Sequence, residues 1–183
     1  MTEFENQKVV CDKWALFNEK YGDATGSKFR RLAQQLIFDR LLQLANQHLS
    51  RLTSRYSLKT IPGTLTISLC DEYALGYSSS VHNLSGGESF MVSLALALAL
   101  SSMGREGISM DTLFIDEGFG TLSTDNQIRV IDLLQTLQRT QGKRVGIISH
   151  VPYLLERIPV QIKVSRNPVD ATKSTVNILT AIT

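Results

Sequence analysis

The strongest constraint on the fold is the alternation that begins at Ser85. Apolar strand-like runs at Thr112–Ile115, Arg144–Ile148 and Val160–Val164 are separated by helical stretches. The helices are expected at Gly86–Met103, Asp125–Gln141 and about Pro152–Arg157. Helix and strand in turn imply an α/β fold with a mostly parallel sheet flanked by helices. A last strand near Thr175–Leu179 is expected to close that sheet.

The first half reads differently. Residues 1–21 carry few apolar anchors at mixed three-to-four spacing and read as a helix, or the tail of a longer one. The string YGDATGS, Tyr21–Ser27, is a break, and a clearer helix follows. Phe29, Leu32, Ala33, Leu36, Ile37, Leu41, Leu44, Ala45, His48, Leu49 and Leu52 share its face, with Ser27 or Thr25 as cap. Tyr56–Thr60 and Thr64–Cys70 bracket Pro62-Gly63 as a hairpin with one buried face, and Tyr73–Asn83 reads as loop.

Composition excludes several classes. A net charge of +2 over 183 residues rules out a strongly basic coat, though not a local basic patch. Cys11 and Cys70 form no ligand or disulfide pattern and suit a reducing, cytoplasmic compartment. The greasiest stretch, Phe90–Leu100, is 11 residues long, whereas a spanning helix needs roughly 20 apolar residues, so no membrane partner is expected. That stretch is expected to be buried nearly all round.

Three strings carry chemistry. In VHNLSGGESF, Ser85 and Glu88 have the spacing of a capping box. Gly86 and Gly87 leave the first helical turn bare, so its N–H groups can meet an anion. Taken alone, the string fits the plain start of a core helix equally well. In DTLFIDEGFGTLS, an apolar strand ends in Asp116-Glu117, and ligands of open α/β sheets gather at the carboxyl ends of strands. Asp116 can hold Mg²⁺ through oxygen, and Glu117 can polarise a water. Two solvated acids before a glycine turn are the plainer alternative. In VGIISH, a third apolar run ends in Ser149-His150, where an imidazole can donate to a phosphate oxygen.

Together these strings resemble a family. LSGGE (Leu84–Glu88) is similar to the signature motif of ABC-type ATPases, and LFIDE (Leu113–Glu117) to their Walker B strand with its catalytic glutamate. GTLSTD stands where their D-loop lies, and His150 where their switch histidine lies. LSGGESFMVSLALALALS, DEGFGTL, ISHV and ERIPVQIKV are closer to the SbcC group, SMC-like ATPases of double-strand-break repair. A transporter ATPase more usually has proline after the acid pair; here Gly118-Phe119 follows.

The resemblance implies the C-terminal lobe of an ABC/SMC-type P-loop ATPase head. Residues 1–21 would be the foot of a returning coiled coil, and residues 22–183 the lobe. No Walker A loop is present. GDATGSK, Gly22–Lys28, has the wrong spacing and order and follows no strand, so it reads as a helix-to-helix turn. The implied cofactors are ATP and Mg²⁺. Ser85, Gly86, Gly87 and Glu88 would bind ATP with Ser123 of the D-loop; Asp116 would bind the metal; Glu117 and His150 would be catalytic. At Ser123 the sequence departs from the aspartate usual in the group, and Asp125 is the alternative cap of the next helix.

The implied partners are the Walker A half of the same head, a second head closing an ATP sandwich, an SbcD-like nuclease and DNA. The implied activity is ATP hydrolysis within an SbcCD-type exonuclease complex that processes double-strand breaks and hairpins. A non-catalytic interaction module and a transporter-type ATPase fragment are the alternatives. Lys28, Arg30, Arg31, Arg40, Arg51, Arg55 and Lys59 form a basic stripe that can meet DNA phosphates. A solvated helix face or a seat for the nuclease fits them too.

Overall fold

A computed structural model describes residues 3–80, 84–104, 112–167 and 172–180. The first two residues of 1–21, the opening Asp111 of DTLFIDEGFGTLS, and Val81–Asn83 lie outside the described residues.

Helix α1 (Glu3–Tyr21) buries none of its residues; Val9, Val10, Trp14 and Phe17 are all exposed. The chain turns at 22–26, and α2 (Ser27–Leu52) begins. Its N-cap is Gly26, left-handed at φ 67°, not Ser27 or Thr25. Both hydroxyls instead donate to Asp23, which closes the turn. GDATGSK is thus the helix-to-helix turn that its letters suggest, with no strand before it.

The apolar face of α2 is buried only in its second half. Leu42, Ala45, His48, Leu49 and Leu52 enter the core, while Phe29, Leu36 and Ile37 stay exposed. Periodicity marks the face, but along the first half of the helix only the hairpin tip at Gly63 comes near, and it leaves these side chains open.

β1 (Tyr56–Thr60) and β2 (Ile67–Asp71) form the expected hairpin in the register Tyr56↔Asp71 to Thr60↔Ile67. Two corrections follow. β2 is buried on both faces, since Ser68, Leu69 and Cys70 are all enclosed. Leu69 enters the core, and Cys70 lies under the Lys59 side chain and the turn at Gly76. Within Tyr73–Asn83, read as loop, Tyr77–Ser80 form β3 against β2. The letters YSSS have no apolar alternation; a tight turn with Leu75 (φ 56°) and Gly76 (φ 75°) lays them on an edge already built.

α3 (Gly86–Ser102) crosses α2, with Ala45, Ala95 and Ala99 fully buried where the helices meet. Small side chains there let the backbones approach. Burying each leucine beside them, such as Leu49 or Leu98, is worth about 1.5–3 kcal/mol. α3 is not enclosed all round: Ser93, Ala97 and Leu100 lie on an open side. α4 (Thr124–Gln141) seals the core with Val130, Ile131, Leu133, Leu134 and Leu137.

The expected strands and helices are present, so the chain is α/β, but among the described residues strand pairing is not mostly parallel. β4 (Thr112–Asp116) and β5 (Arg144–Ile148) form one parallel pair. β6 (Val160–Arg166), after the short helix α5 (Pro152–Arg157), pairs antiparallel with β7 (Ser174–Thr180). β7 therefore does not close the β4–β5 sheet, and all its residues are exposed. Phe114 and Ile148 also lie open, although parallel strands normally need cover on both faces. Strand letters predict pairing competence, and the described chain lacks the layers that would join these pieces into one sheet.

Candidate functional site: a bare helix start and an acid–imidazole turn

The start of α3 is built as its letters suggest. Ser85 is the N-cap, and its Oγ accepts from the Glu88 N–H at 3.4 Å. Glu88 Oε2 accepts in return from the Ser85 N–H at 2.9 Å and the Ser85 hydroxyl at 2.8 Å. Ser85 and Gly86 are exposed, so the amides of the first turn lie at the surface. The glycines have a second cause. A Cβ on Gly87 would come within 2.9 Å of the Thr121 carbonyl, and one on Gly86 would touch the Thr121 side chain at 3.4 Å. The turn after β4 therefore packs directly under the signature turn.

The other oxygen of Glu88 faces the hairpin. Oε1 accepts from the Tyr56 hydroxyl at 2.6 Å and from Arg55 Nη1 at 3.4 Å. Arg55 is fixed by a fork onto Asp71, with Nη2 2.7 Å from Oδ2 and Nε within 3.1 Å of both oxygens. The Tyr56 bond, with smaller help from Ser85 and Arg55, holds the Glu88 carboxyl below its ordinary range. Burial, then the Glu88 carboxylate, pushes the Tyr56 phenol up to about 12. The neutral phenol is thus favoured in the folded chain. That stabilisation is complete below the ordinary value of 10.0 and is lost as pH rises from there through about 12. An absorbance titration is expected to show a phenolate step near pH 12 that Tyr56→Phe removes; a Tyr56→Phe curve lacking only an ordinary step near 10 would contradict it.

At the end of β4, Asp116 is exposed and has no hydrogen bond or ion pair among the described residues. Glu117 takes a left-handed backbone, φ 59°, held by its N–H to the Ile148 carbonyl at 2.9 Å. That conformation is uncommon outside glycine and asparagine, and here it turns the glutamate towards β5. His150, just past β5, places Nδ1 3.2 Å from both Glu117 carboxylate oxygens. With the carboxylate ionised, Nδ1 is the donor. Both side chains are substantially exposed, at 81% for His150 and 51% for Glu117, so a ligand can reach them.

The residues after Glu117 lock this turn to α3. Gly118 is left-handed at φ 94°, and a Cβ there would lie 2.4 Å from the Phe90 ring. Phe119 is fully buried, with its ring centroid 5.2 Å from that of Phe90. Buried Gln127 donates to the carbonyls of Phe119 (3.0 Å) and Leu122 (3.3 Å). Ser123, not Asp125, caps α4, accepting from the Asn126 N–H. Asp125 instead sits in the first turn, where its charge suits the helix dipole. The described residues contain no cluster of three metal-binding side chains. A single free carboxylate nonetheless suits Mg²⁺, which keeps its waters and takes oxygens from phosphates.

Comparison with known proteins converges on these segments. A family model described as SbcC/RAD50-like, Walker B motif, matches residues 67–136, which span the signature turn and the acid pair. The chain is 42% identical over 166 residues to the SbcC subunit of nuclease SbcCD from Pseudomonas aeruginosa, covering 91% of this chain and 14% of that protein. It belongs to the SbcC/RAD50-like family. The SbcC subunit of the Rhodobacter capsulatus nuclease is likewise 42% identical, over 90% of this chain and 13% of its own length. The chain therefore spans about one-seventh of these SbcC relatives. Among solved structures, a chain from a study of ATP-driven dimerisation of SMC ATPases superposes with a TM-score of 0.65 at 18% identity. It covers 82% of this chain and 90% of that one, and shows a shared fold. No described helix is long and apolar enough to cross a membrane.

In this SbcC-like chain the residues singled out from sequence form two connected groups. Glu117 and His150 touch; Gly86 and Gly87 rest on the turn that ends at Ser123, with Ser85 and Glu88 joined to them by the capping box. Sequence reading missed Tyr56, Asp71, Phe90, Thr121 and Gln127, none of which has a local signal. It also assigned Arg55 to a basic stripe. Three of its seven residues have partners of their own: Arg55 reaches Glu88, Arg31 donates to the Gly63 carbonyl, and Lys59 lies over Cys70.

Proposed function

We propose that this chain is the lysine-free half of an ATPase head of an SbcC-like protein. The carrying observation is that Glu117 and His150, 33 residues apart, meet at 3.2 Å on neighbouring parallel strand ends beside exposed Asp116. The Walker A half of the same head would supply the lysine and most phosphate contacts. Residues 1–21, none of whose described members is buried, are the foot of a coiled coil, and residues 22–183 the lobe. The setting is the cytoplasm, where both thiols stay reduced.

Each residue then has a task. Asp116 would hold Mg²⁺, which when bound neutralises charge on the phosphates. Glu117 accepts a proton from the attacking water, and His150 orients Glu117 through Nδ1 while its other nitrogen can reach a phosphate oxygen. Ser85 and the amides of Gly86 and Gly87, at the exposed start of α3, would meet the γ-phosphate held by a second head. Ser123 fixes the D-loop by capping α4. ATP thus joins two heads and its hydrolysis releases them, a ligand-driven shift between two states. DNA and an SbcD-like nuclease are the partners that this cycle would serve in double-strand-break processing. Mixing this chain with the missing half is the test: ATP turnover is expected to rise well above either alone, and no gain would refute the composite site.

A further inference from the structure

Glu88 poses a problem that the composite site does not solve. The capping box uses its carboxylate, since Oε2 takes both the N–H and the hydroxyl of Ser85, although an amide oxygen could accept the same two bonds. Yet a negative charge in the first turn of α3 opposes an incoming phosphate at the same helix end. It also holds the Ser85 hydroxyl proton that a phosphate would need. Only the other oxygen, Oε1, is available to offset the charge, and it is occupied by Tyr56 at 2.6 Å and Arg55 at 3.4 Å.

We propose that Arg55 and Tyr56 are positioning residues of the signature turn: they neutralise Glu88 from behind, so that the bare turn admits a phosphate and Ser85 can release Glu88 to donate to it. This rests on the composite-site reading above. The arrangement is held from several sides. Asp71 grips Arg55 through both oxygens and is itself fixed by the Tyr73 N–H at 3.0 Å. The guanidinium lies 4.8 Å from the centre of the Tyr56 ring, and that ring is buried in the core. Charges therefore alternate along Asp71, Arg55 and Glu88 and end at the phosphate position. A tie that only joined the hairpin to α3 would serve equally well with a neutral residue at 88. Charge compensation would not, and this separates the two.

The test uses complete heads with Tyr56→Phe or Arg55→Gln, each with and without Glu88→Gln. The readouts are the ATP concentration for half-maximal head association and the turnover at saturating ATP. Each single substitution is expected to raise the half-saturation about tenfold, equivalent to about 1.4 kcal/mol, with saturating turnover within about twofold of unaltered heads. Adding Glu88→Gln is expected to bring half-saturation back to that of Glu88→Gln alone. An unchanged half-saturation in Tyr56→Phe, which keeps the ring in its core position, overturns the proposal. So does a loss that Glu88→Gln leaves undiminished, since that marks a merely structural tie. Unaltered heads that show no ATP-driven association would overturn the composite site itself, and this inference with it.

Discussion

Glu117→Gln in the complete head is expected to cut ATP turnover by at least about a hundredfold, the lower end of what a positioned general base contributes. Glutamine matches the volume and can still meet His150, so the turn should keep its shape. The left-handed backbone at φ 59° is held by the Ile148 carbonyl and does not depend on the carboxylate. What is lost is the capacity to take a proton. Binding would then proceed without release, and ATP-bound head dimers should accumulate and persist, as measured by size-exclusion chromatography with ATP. Turnover within a few-fold of the unaltered head would remove Glu117 from the chemistry.

The second large effect is structural. Phe119 is fully buried, packs at a tilt against Phe90 and begins the turn whose Thr121 carbonyl supports Gly87. Phe119→Ala is expected to cost about 3–5 kcal/mol of stability, the usual range for emptying a buried phenyl site. For a chain of this length that corresponds to a fall in Tm of roughly 10 °C, read by calorimetry. The signature turn should loosen with it, weakening ATP-driven association at temperatures where the head is still folded. Leu155→Ala, at a site 56% exposed, should stay within about 0.5 kcal/mol and serves as the control. Equal effects at the two sites would show that Phe119 does not anchor the turn.

The difference between these two residues also marks what was legible in the sequence. The capping box at Ser85–Glu88 is a contact of i with i+3, so its letters suffice. The placement of the acid pair and His150 was legible because apolar runs mark the strands at whose ends they stand. Phe119 carried no such mark, as its role depends on Phe90 from another helix. Tyr56 and Arg55 lie 32 and 33 residues from Glu88, and nothing local announces the meeting. At the start of α4, Ser123 and Asp125 are both capping letters two positions apart, and only the backbone decides between them. β3 is similar: its serines pair because β2 offers an edge. The apolar letters of β4, β6 and β7 were read correctly as strands, but letters do not say which layer covers them. Phe114, Ile162 and Ile178 are exposed for that reason.

The most direct test of a site shared between heads is complementation. Heads carrying Ser85→Arg, which blocks the bare turn, are mixed with heads whose Walker A lysine has been replaced. Each population alone should be inactive. In a mixed dimer one pocket receives both lesions and the other receives neither, so ATP turnover is predicted to reappear on mixing. A mixture as inactive as its components would mean that the signature turn does not act on a nucleotide held by another head.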